Sequence, residues 1–259
     1  MKYKDFEGTI EELVNIKLDE IEKKENVKIL HAVESGSRSW GFASPDSDYD
    51  VRFIYVHEKS YYLKLEDKKD IINWQLDETL DINGWDLSKA LKLFHKSNAT
   101  LFEWSNSPVV YRTTDEWKEI YNTAVNYFSR KSCMYHYYGT AKSNYYGFLQ
   151  EEYVKYKKYF YVLRPLLACK WIEKKCCPPP VLFDTLKEEM LDDELKSKVN
   201  DLLKAKIAMK ESDKGKCDKK LNQYIEEQLG YYSESISKMS DDRNEAWDEL
   251  NKIFVKMLF

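Results

Sequence analysis

Two aspartates stand one residue apart, Asp48 and Asp50, at the head of an apolar run over residues 51–55. In an extended strand, side chains at positions i and i+2 point to the same face, so a strand that begins here aims both carboxylates at one point. Two like charges held together repel each other, and a hard divalent cation that prefers oxygen ligands relieves the repulsion. Magnesium is the usual choice when phosphates supply the other ligands. The pair therefore indicates a metal site, although the same spacing also occurs in turns and in glycosyltransferases.

A short glycine-serine segment precedes the aspartates. Residues 28–33 (KILHAV) predict a buried strand that runs into Ser35, Gly36 and Ser37. Glycine lets the backbone approach a ligand closely, and a turn that opens a helix points free N–H groups outward, where a phosphate binds. Ser37 would bind that phosphate through its hydroxyl and N–H groups. The segment and the two aspartates together suit one ligand, a metal-bound nucleoside triphosphate.

The spacing of these groups resembles a family signature. Gly36 and Ser37, followed after residues 38–47 by Asp48-x-Asp50, resemble the DNA polymerase β superfamily of nucleotidyltransferases. Three blocks of sequence, in this order, look like the predicted nucleotidyltransferases associated with bacterial RNA-repair operons: GSRSWGFASPDSDYDVRFIY, GWDLSKALKLFHKSNATLFEWSNSPVVY and KKYFYVLRPLLACKWI. The resemblance covers residues 28–180.

The resemblance implies an enzyme that moves a nucleoside monophosphate from a triphosphate to a hydroxyl acceptor and releases pyrophosphate. The donor it implies is ATP or another nucleoside triphosphate, and the cofactor is a pair of magnesium ions, with manganese as the alternative. The acceptor stays open between an RNA or tRNA end, a protein hydroxyl and a small molecule. The likeness to RNA-repair proteins favours RNA.

A site with two metal ions needs a third carboxylate, and two aspartates compete for that role. Asp81 lies inside an apolar strand pattern, where an aspartate is costly unless it is paired or liganded. Asp86 precedes a helical pattern and has a structural explanation as the N-cap of that helix. Asp81 is therefore the predicted third ligand, which would hold the catalytic metal with Asp48 and Asp50 and help to deprotonate the attacking hydroxyl.

Further phosphate contacts are predicted on both halves of the chain. Arg38 is placed to add a charge-assisted contact, because a guanidinium group suits phosphate geometry, and a surface salt bridge is the alternative. Arg164 precedes Pro165 within an apolar helical pattern, where a poorly solvated arginine would attract an anion. The block around it is similar to the part of the family that closes over the nucleotide. Lys158 and Arg164 are therefore the predicted triphosphate contacts, although a basic run of this kind is often only a solvated helix face.

The order of the elements predicts an α/β (α+β) fold. A helix over residues 9–25 is followed by strands over 28–33, 49–56, 70–76 and 79–85, and every segment after residue 113 has a helical pattern. The sequence therefore predicts two domains, over 1–128 and 129–259. The resemblance implies that the first is a catalytic domain with a small mixed sheet like the palm of polymerase β, and that the second is an all-helical domain that binds substrate and nucleotide.

Composition limits the expected partners and the expected cellular compartment of the protein. The chain of 259 residues is 43% hydrophobic and carries a net charge of −4, so no global basic field attracts nucleic acid. No apolar run is long enough to span a membrane and no secretory leader is recognised, so we expect a cytoplasmic protein without a membrane partner. The five cysteines have no CxxC spacing and are expected to be free thiols.

Two alternatives share the predicted fold. One is a catalytically idle member of the superfamily that binds a nucleotide or RNA as a sensor or assembly protein. The other is a toxin-antitoxin type nucleotidyltransferase that modifies tRNA or a protein. The presence of both Asp48 and Asp50 argues against the idle protein, whereas the toxin-antitoxin type differs only in its acceptor.

Overall fold

A five-stranded sheet forms the centre of the first half of the chain. The computed structural model describes residues 6–44, 47–75, 79–208 and 214–258. The strands are β1 (Val27–Glu34), β2 (Tyr49–His57), β3 (Ile71–Gln75), β4 (Leu80–Asp86) and β5 (Val110–Thr113). Their order across the sheet is β3-β4-β2-β1-β5. Strands β2 and β4 are parallel and the other neighbours are antiparallel, so the sheet is mixed, as the sequence predicted.

Eight described helical segments belong to this half or return to it. They are α1 (Ile10–Glu25), α2 (Gly36–Ser39), α3 (Lys59–Tyr62), α4 (Leu87–His95), α5 (Ala99–Ser105), α6 (Asp115–Ala124), a 3-10 turn (Val125–Tyr127) and α12 (Asp248–Met257). Thr9 caps α1 in a capping box with Glu12, and Asp86 caps α4. Such caps satisfy N–H groups that the first helical turn leaves without partners.

Both faces of the central strands are covered. Seven of the eight residues of β1 are buried, and since neighbouring side chains of a strand point to opposite faces, neither face of β1 is open to solvent. Helix α1 packs on one face, against a cluster that includes Val51, Phe53 and Tyr55. The opposite face carries Asp50, Arg52 and Ile54, and helices α4 and α6 contact the sheet from there. Asp50 and Arg52 therefore lie where this second face reaches the beginning of β2.

The second half of the chain is built of helices. They are α7 (Arg130–Phe148), α8 (Lys157–Lys175), α9 (Phe183–Met190), α10 (Asp193–Ala208) and α11 (Lys219–Lys238). Two strands of two residues each, β6 (Tyr153–Val154) and β7 (Gly215–Lys216), pair in an antiparallel ladder. The expectation that every later segment is helical is wrong for this pair, because strands of two residues leave no periodic pattern in the sequence.

The chain divides into two compact units. One comprises Met1–Phe128 and Arg243–Phe259, and the other comprises Ser129–Asp242. Residues 243–259 are thus counted with the first unit, whereas the sequence analysis assigned them to the helical domain. The physical reason is packing, since α12 contacts α4 and α6 and buries Leu250 and Ile253.

The first and last residues of the second unit, Ser129 and Asp242, are in contact. The Ser129 hydroxyl donates to Oδ1 of Asp242 over 2.6 Å, and the backbone N–H of Arg130 donates to Oδ2 of the same carboxylate over 3.0 Å. The last residue of the unit therefore caps the first turn of its first helix.

The connection between β2 and β3 contains the short helix α3. The join between the strands over 70–76 and 79–85 falls on residues 76–78, which lie outside the described residues. Among the described helices, none is long and apolar enough to cross a membrane.

His31 makes the stability of the fold depend on pH. Its Nε2 lies 3.2 Å from the carbonyl oxygen of Trp104 and its Nδ1 lies 3.1 Å from the Thr113 hydroxyl, and the ring stacks on Trp117 at 5.0 Å. Burial lowers the pKa of His31 from 6.5 to about 4. The unfolded chain therefore binds this proton more readily, so stability is present above about pH 6.5 and falls as the pH drops towards 4.

We expect His31→Gln to remove part of this pH dependence. At 1.36 kcal/mol for each pKa unit, the histidine accounts for about 3 kcal/mol of lost unfolding free energy across that window. Urea unfolding of both proteins between pH 4 and pH 7 measures the difference. Parallel curves for His31→Gln and the original protein would show that His31 titrates normally in the fold.

Candidate active site

The turn after β1 lies against the beginning of β2. The N–H of Ser35 donates to the carbonyl of Asp50 over 2.8 Å, and Gly36 has a φ of 64°. A Cβ atom added to Gly36 would stand 2.6 Å from Oδ2 of Asp50, closer than real Cβ contacts. Glycine is therefore required here for two reasons, the left-handed backbone and the close approach of a carboxylate.

Two carboxylates face each other at the start of the parallel strand pair. Asp50 of β2 is the register partner of Asp81 of β4. Nη2 of Arg52 lies 2.9 Å from Oδ1 of Asp50 and 2.9 Å from Oδ2 of Asp81. The Nη1 group of Arg52 donates to the carbonyls of Val51 and Asp81 over 3.0 and 3.2 Å. One guanidinium group therefore bridges both carboxylates and offsets one of their two negative charges.

Asp48 lies just before β2 and its side chain is exposed. Burial raises the pKa of Asp50; the Arg52 guanidinium opposes this rise, and the charges of Asp81 and Asp48 reinforce it. The charges of Asp81 and Asp48 thus both act on the carboxylate of Asp50. Such a cluster favours the approach of a cation.

Asp86 lies at the far end of the same strand. Its Oδ1 accepts from the N–H of Ser88 over 2.7 Å, its Oδ2 accepts from the Tyr62 hydroxyl over 2.7 Å, and the residue is buried. It pairs in register with Tyr55, five residues beyond Asp50, or about 16 Å along the strand. The prediction that Asp86 caps a helix is confirmed, and of the two competing aspartates it is Asp81 that lies beside Asp50.

Glu34, a buried acid, lies beside the turn after β1. The sequence alone predicted no role for Glu34. Its Oε1 accepts the N–H of Asp50 over 2.8 Å and its Oε2 accepts the Tyr111 hydroxyl over 2.5 Å. Burial raises the pKa of Glu34 to about 7, against the lowering effect of both hydrogen bonds. Glu34 therefore holds the backbone at the position that aims Asp50.

The predicted phosphate ligands of the turn have different surroundings. Ser37 is half-buried, and its hydroxyl has no hydrogen-bond partner among the described residues. Arg38 donates from Nε to the carbonyl of Asp48 over 3.0 Å and from Nη2 to that of Ser47 over 2.5 Å. Its guanidinium group also lies over the ring of Tyr49 at 3.7 Å. Arg38 thus fixes the segment that leads into β2, and its contact with a phosphate stays a prediction.

Lys158 and Arg164 belong to the second unit, on α8. Nζ of Lys158 lies 3.7 Å from the ring centre of Phe148. Arg164 is buried, and its Nε donates to the carbonyl of Val181 over 3.2 Å. Helix α8 continues on both sides of Pro165. The buried arginine that the sequence predicted therefore has a backbone acceptor, and its contact with a triphosphate stays a prediction.

The carboxylates of Asp50 and Asp81 suit a metal ion that takes only some of its ligands from the protein. In the described residues, no three His, Cys, Asp or Glu side chains are gathered into a metal site. Asp50 and Asp81 provide two carboxylates, and magnesium at phosphate-transfer sites commonly takes one or two carboxylates, with phosphate oxygens and water as the other ligands. Gly36, which has no side chain, lets the turn lie close against the carboxylate of Asp50. The donor set therefore suits magnesium that arrives with a triphosphate, provided that Arg52 releases at least one carboxylate.

We expect Arg52→Gln to lose about 1–2 kcal/mol of unfolding free energy and to become more dependent on metal. Without the guanidinium group, the carboxylates of Asp50 and Asp81 repel each other, so magnesium with a nucleoside triphosphate should raise the melting temperature more than in the original protein. Thermal melts with and without these ligands measure the shift.

Arg112→Gln is the matched control. Arg112 also joins two acids, Asp19 at 2.7 Å and Glu22 at 3.1 Å, and is similarly buried. This variant should lose stability and keep the ligand-induced shift of the original protein. An equal shift in Arg52→Gln and Arg112→Gln would contradict the assignment of Arg52 as the counter-ion of the metal ligands.

Comparison with known proteins gives three findings. The family profile described as RlaP, RNA repair pathway DNA polymerase beta family, matches residues 10–256. The chain is 41% identical over 243 residues to the "Uncharacterized protein YcgL" of Bacillus subtilis (strain 168), with 92% of each chain covered. A crystal structure of a nucleotidyltransferase-like protein from Exiguobacterium sibiricum 255-15 aligns with 96% of this chain and 87% of that one, at 12% identity and a TM-score of 0.31. The last likeness is too weak to carry an argument.

Proposed function

Since the chain belongs to the RNA repair pathway DNA polymerase beta family, we propose that it transfers a nucleoside monophosphate from a nucleoside triphosphate to a hydroxyl group. The family supports a general nucleotidyltransferase role, as the sequence resemblance implied. The proposal adds AMP as the group transferred, ATP as the donor and an RNA end as the acceptor. Pyrophosphate is the second product.

One observation carries the proposal. The carboxylates of Asp50 and Asp81 face each other at the beginning of two parallel strands, and Gly36 lets the turn lie close against Asp50. A purely structural ion pair would need neither the glycine nor the position at the beginning of the two strands. The arrangement suits a phosphate chain held between the turn and the two acids.

Each residue has a role in this reaction. The hydroxyl and N–H groups of Ser37 bind the β- or γ-phosphate, and Gly36 allows its approach. Asp48, Asp50 and Asp81 hold the magnesium ions, which when bound would polarise the α-phosphate and neutralise the charge on the leaving pyrophosphate. Asp81 also accepts the proton of the acceptor hydroxyl. The acceptor oxygen forms a bond to the α-phosphorus as the bond to the β-phosphate oxygen breaks.

The experiment is label transfer from each of the four α-labelled ribonucleoside triphosphates, with magnesium or manganese. Total RNA, tRNA and the protein itself are offered as acceptors, and pyrophosphate release is followed in parallel. We expect label from ATP on an RNA acceptor, its loss when a chelator removes the metal, and its return when magnesium is restored. Label on the protein alone would replace RNA by a protein hydroxyl as the acceptor.

A second candidate function is favoured by Arg52. Its guanidinium group already bridges Asp50 and Asp81 and occupies one oxygen of each, as in a site that binds without turnover. In that case the protein is a nucleotide or RNA sensor of the same fold. It would bind a triphosphate with metal and release no pyrophosphate with any acceptor, which would overturn the proposed transfer.

A further inference from the structure

Two contacting helices of the second unit, α7 and α8, carry an unusual charge. Within residues 130–172 there are eight basic residues and two acidic ones, Glu151 and Glu152. The basic residues are Arg130, Lys131, Lys142, Lys155, Lys157, Lys158, Arg164 and Lys170. The segment therefore has a formal charge of +6, and because the whole chain has −4, the remainder has −10. Residues 130–172 thus form a basic segment of an acidic protein. The net charge of the whole chain does not reveal this segment.

Aromatic side chains on these helices are exposed. Helix α7 buries Cys133, Met134, Tyr137, Ala141 and Tyr145. Another side of the helix carries Tyr135, Tyr138, Lys142 and Tyr146, whose spacing of three and four residues aligns them in one row. Tyr135 is 69% exposed and Tyr146 is 58% exposed. We call these four residues the outer row of α7.

A separate lysine and aromatic cluster lies at the end of the helix. Phe148 is 49% exposed, and Nζ of Lys158 lies 3.7 Å from its ring centre and 5.0 Å from that of Tyr161. Phe148 stands about 200° around the helix from Tyr146, so this cluster is not part of the outer row. Within the row, Nζ of Lys142 lies 5.7 Å from the ring of the half-buried Tyr138. A cation therefore stands beside an aromatic ring in the row itself.

Solvent-exposed rings interleaved with lysines match the chemistry of one ligand class. Bases of a single strand stack on aromatic rings, while its phosphates contact the cations. A duplex hides its bases from such rings, and an acidic protein surface has no reason to select a row of them. No carboxylate lies within α7 itself to repel phosphates.

We propose that the outer row of α7 binds single-stranded RNA. The identification of this RNA as the acceptor of nucleotidyl transfer rests on the proposed function, whereas the binding itself does not.

Fluorescence anisotropy of a labelled single-stranded RNA dodecamer, without triphosphate or divalent metal, tests the proposal. Tyr135→Ala combined with Tyr146→Ala should weaken binding by about tenfold or more, because each stacked base contributes strongly. Tyr146→Phe keeps the ring and should bind within about twofold of the original protein. Lys142→Ala should lower the slope of log affinity against log salt by about one.

Matched controls separate this surface from the active site and from the fold. Tyr231→Ala removes a tyrosine of α11 that is 51% exposed, and should leave RNA affinity unchanged. Asp50→Asn should bind RNA as the original protein does, so failed catalysis and failed binding are distinguishable. Thermal melts check that each variant is folded.

Three results would overturn the proposal. They are undetectable RNA binding, unchanged affinity in the double tyrosine variant, and equal affinity for duplex and single-stranded RNA. A protein partner on this face is the conclusion if RNA fails to bind while the exposed tyrosines become protected in a complex with another chain.

Discussion

Replacing Asp50 with asparagine is expected to lower the rate of nucleotidyl transfer about a thousandfold. A bound metal contributes several kcal/mol of transition-state stabilisation, and each 1.36 kcal/mol corresponds to a factor of ten in rate. The asparagine would keep the shape of the side chain, so the loss reports the charge that faces Asp81. The rate is measured as pyrophosphate release in the presence of magnesium and acceptor.

The same change should not destabilise the fold. Burial raises the pKa of Asp50, which means that its ionised form is disfavoured in the folded state, so the neutral amide should melt at the same temperature or higher. Asp19→Asn is the control, because Asp19 also pairs with an arginine of the first unit and lies elsewhere, on α1. Transfer at the original rate by Asp50→Asn would remove Asp50 from the catalytic site.

Gly36→Ala is the second change with a large expected effect. It places a residue other than glycine at a φ of 64°, and the added Cβ would stand 2.6 Å from Oδ2 of Asp50. The backbone conformation costs about 1–2 kcal/mol, and displacement of reacting groups by about 1 Å costs about a hundredfold in rate. We therefore expect both a lower melting temperature and a rate of transfer reduced about a hundredfold.

Gly230→Ala provides the comparison. Gly230 lies in α11, and a Cβ added there meets no atom within 4 Å. Alanine favours the helix by about 1 kcal/mol, so this variant should be more stable and equally active. If Gly36→Ala retained full activity, the close approach of the turn to Asp50 would have no catalytic meaning.

The sequence predicted the local parts of the site. Strand β2, the glycine-serine turn and the cap at Asp86 each follow from neighbouring residues, so periodicity and turn chemistry were sufficient to locate them. The choice between Asp81 and Asp86 as the third carboxylate depends on more than neighbouring residues. It depends on the parallel register of β2 with β4, which pairs Asp50 with Asp81, and no local pattern encodes pairing between strands that are distant in sequence.

Two functional residues were missed. Arg52 stands two positions after Asp50, and the rule that placed Asp48 and Asp50 on one face also places Arg52 there, so the signal was present. Glu34 ends an apolar strand just before the turn, where a buried acid needs partners. Its partners Tyr111 and the N–H of Asp50 come from other strands, and only the folded chain shows them.

The carboxylate of Asp242, bonded to Ser129 and to the N–H of Arg130, has a consequence for the history and engineering of the chain. Because entry to and exit from the second unit are adjacent, residues 129–242 are an insertion between the two segments of the first unit. The helices of this insertion can lengthen, shorten or be replaced without a change of register in the strands that carry Asp50 and Asp81.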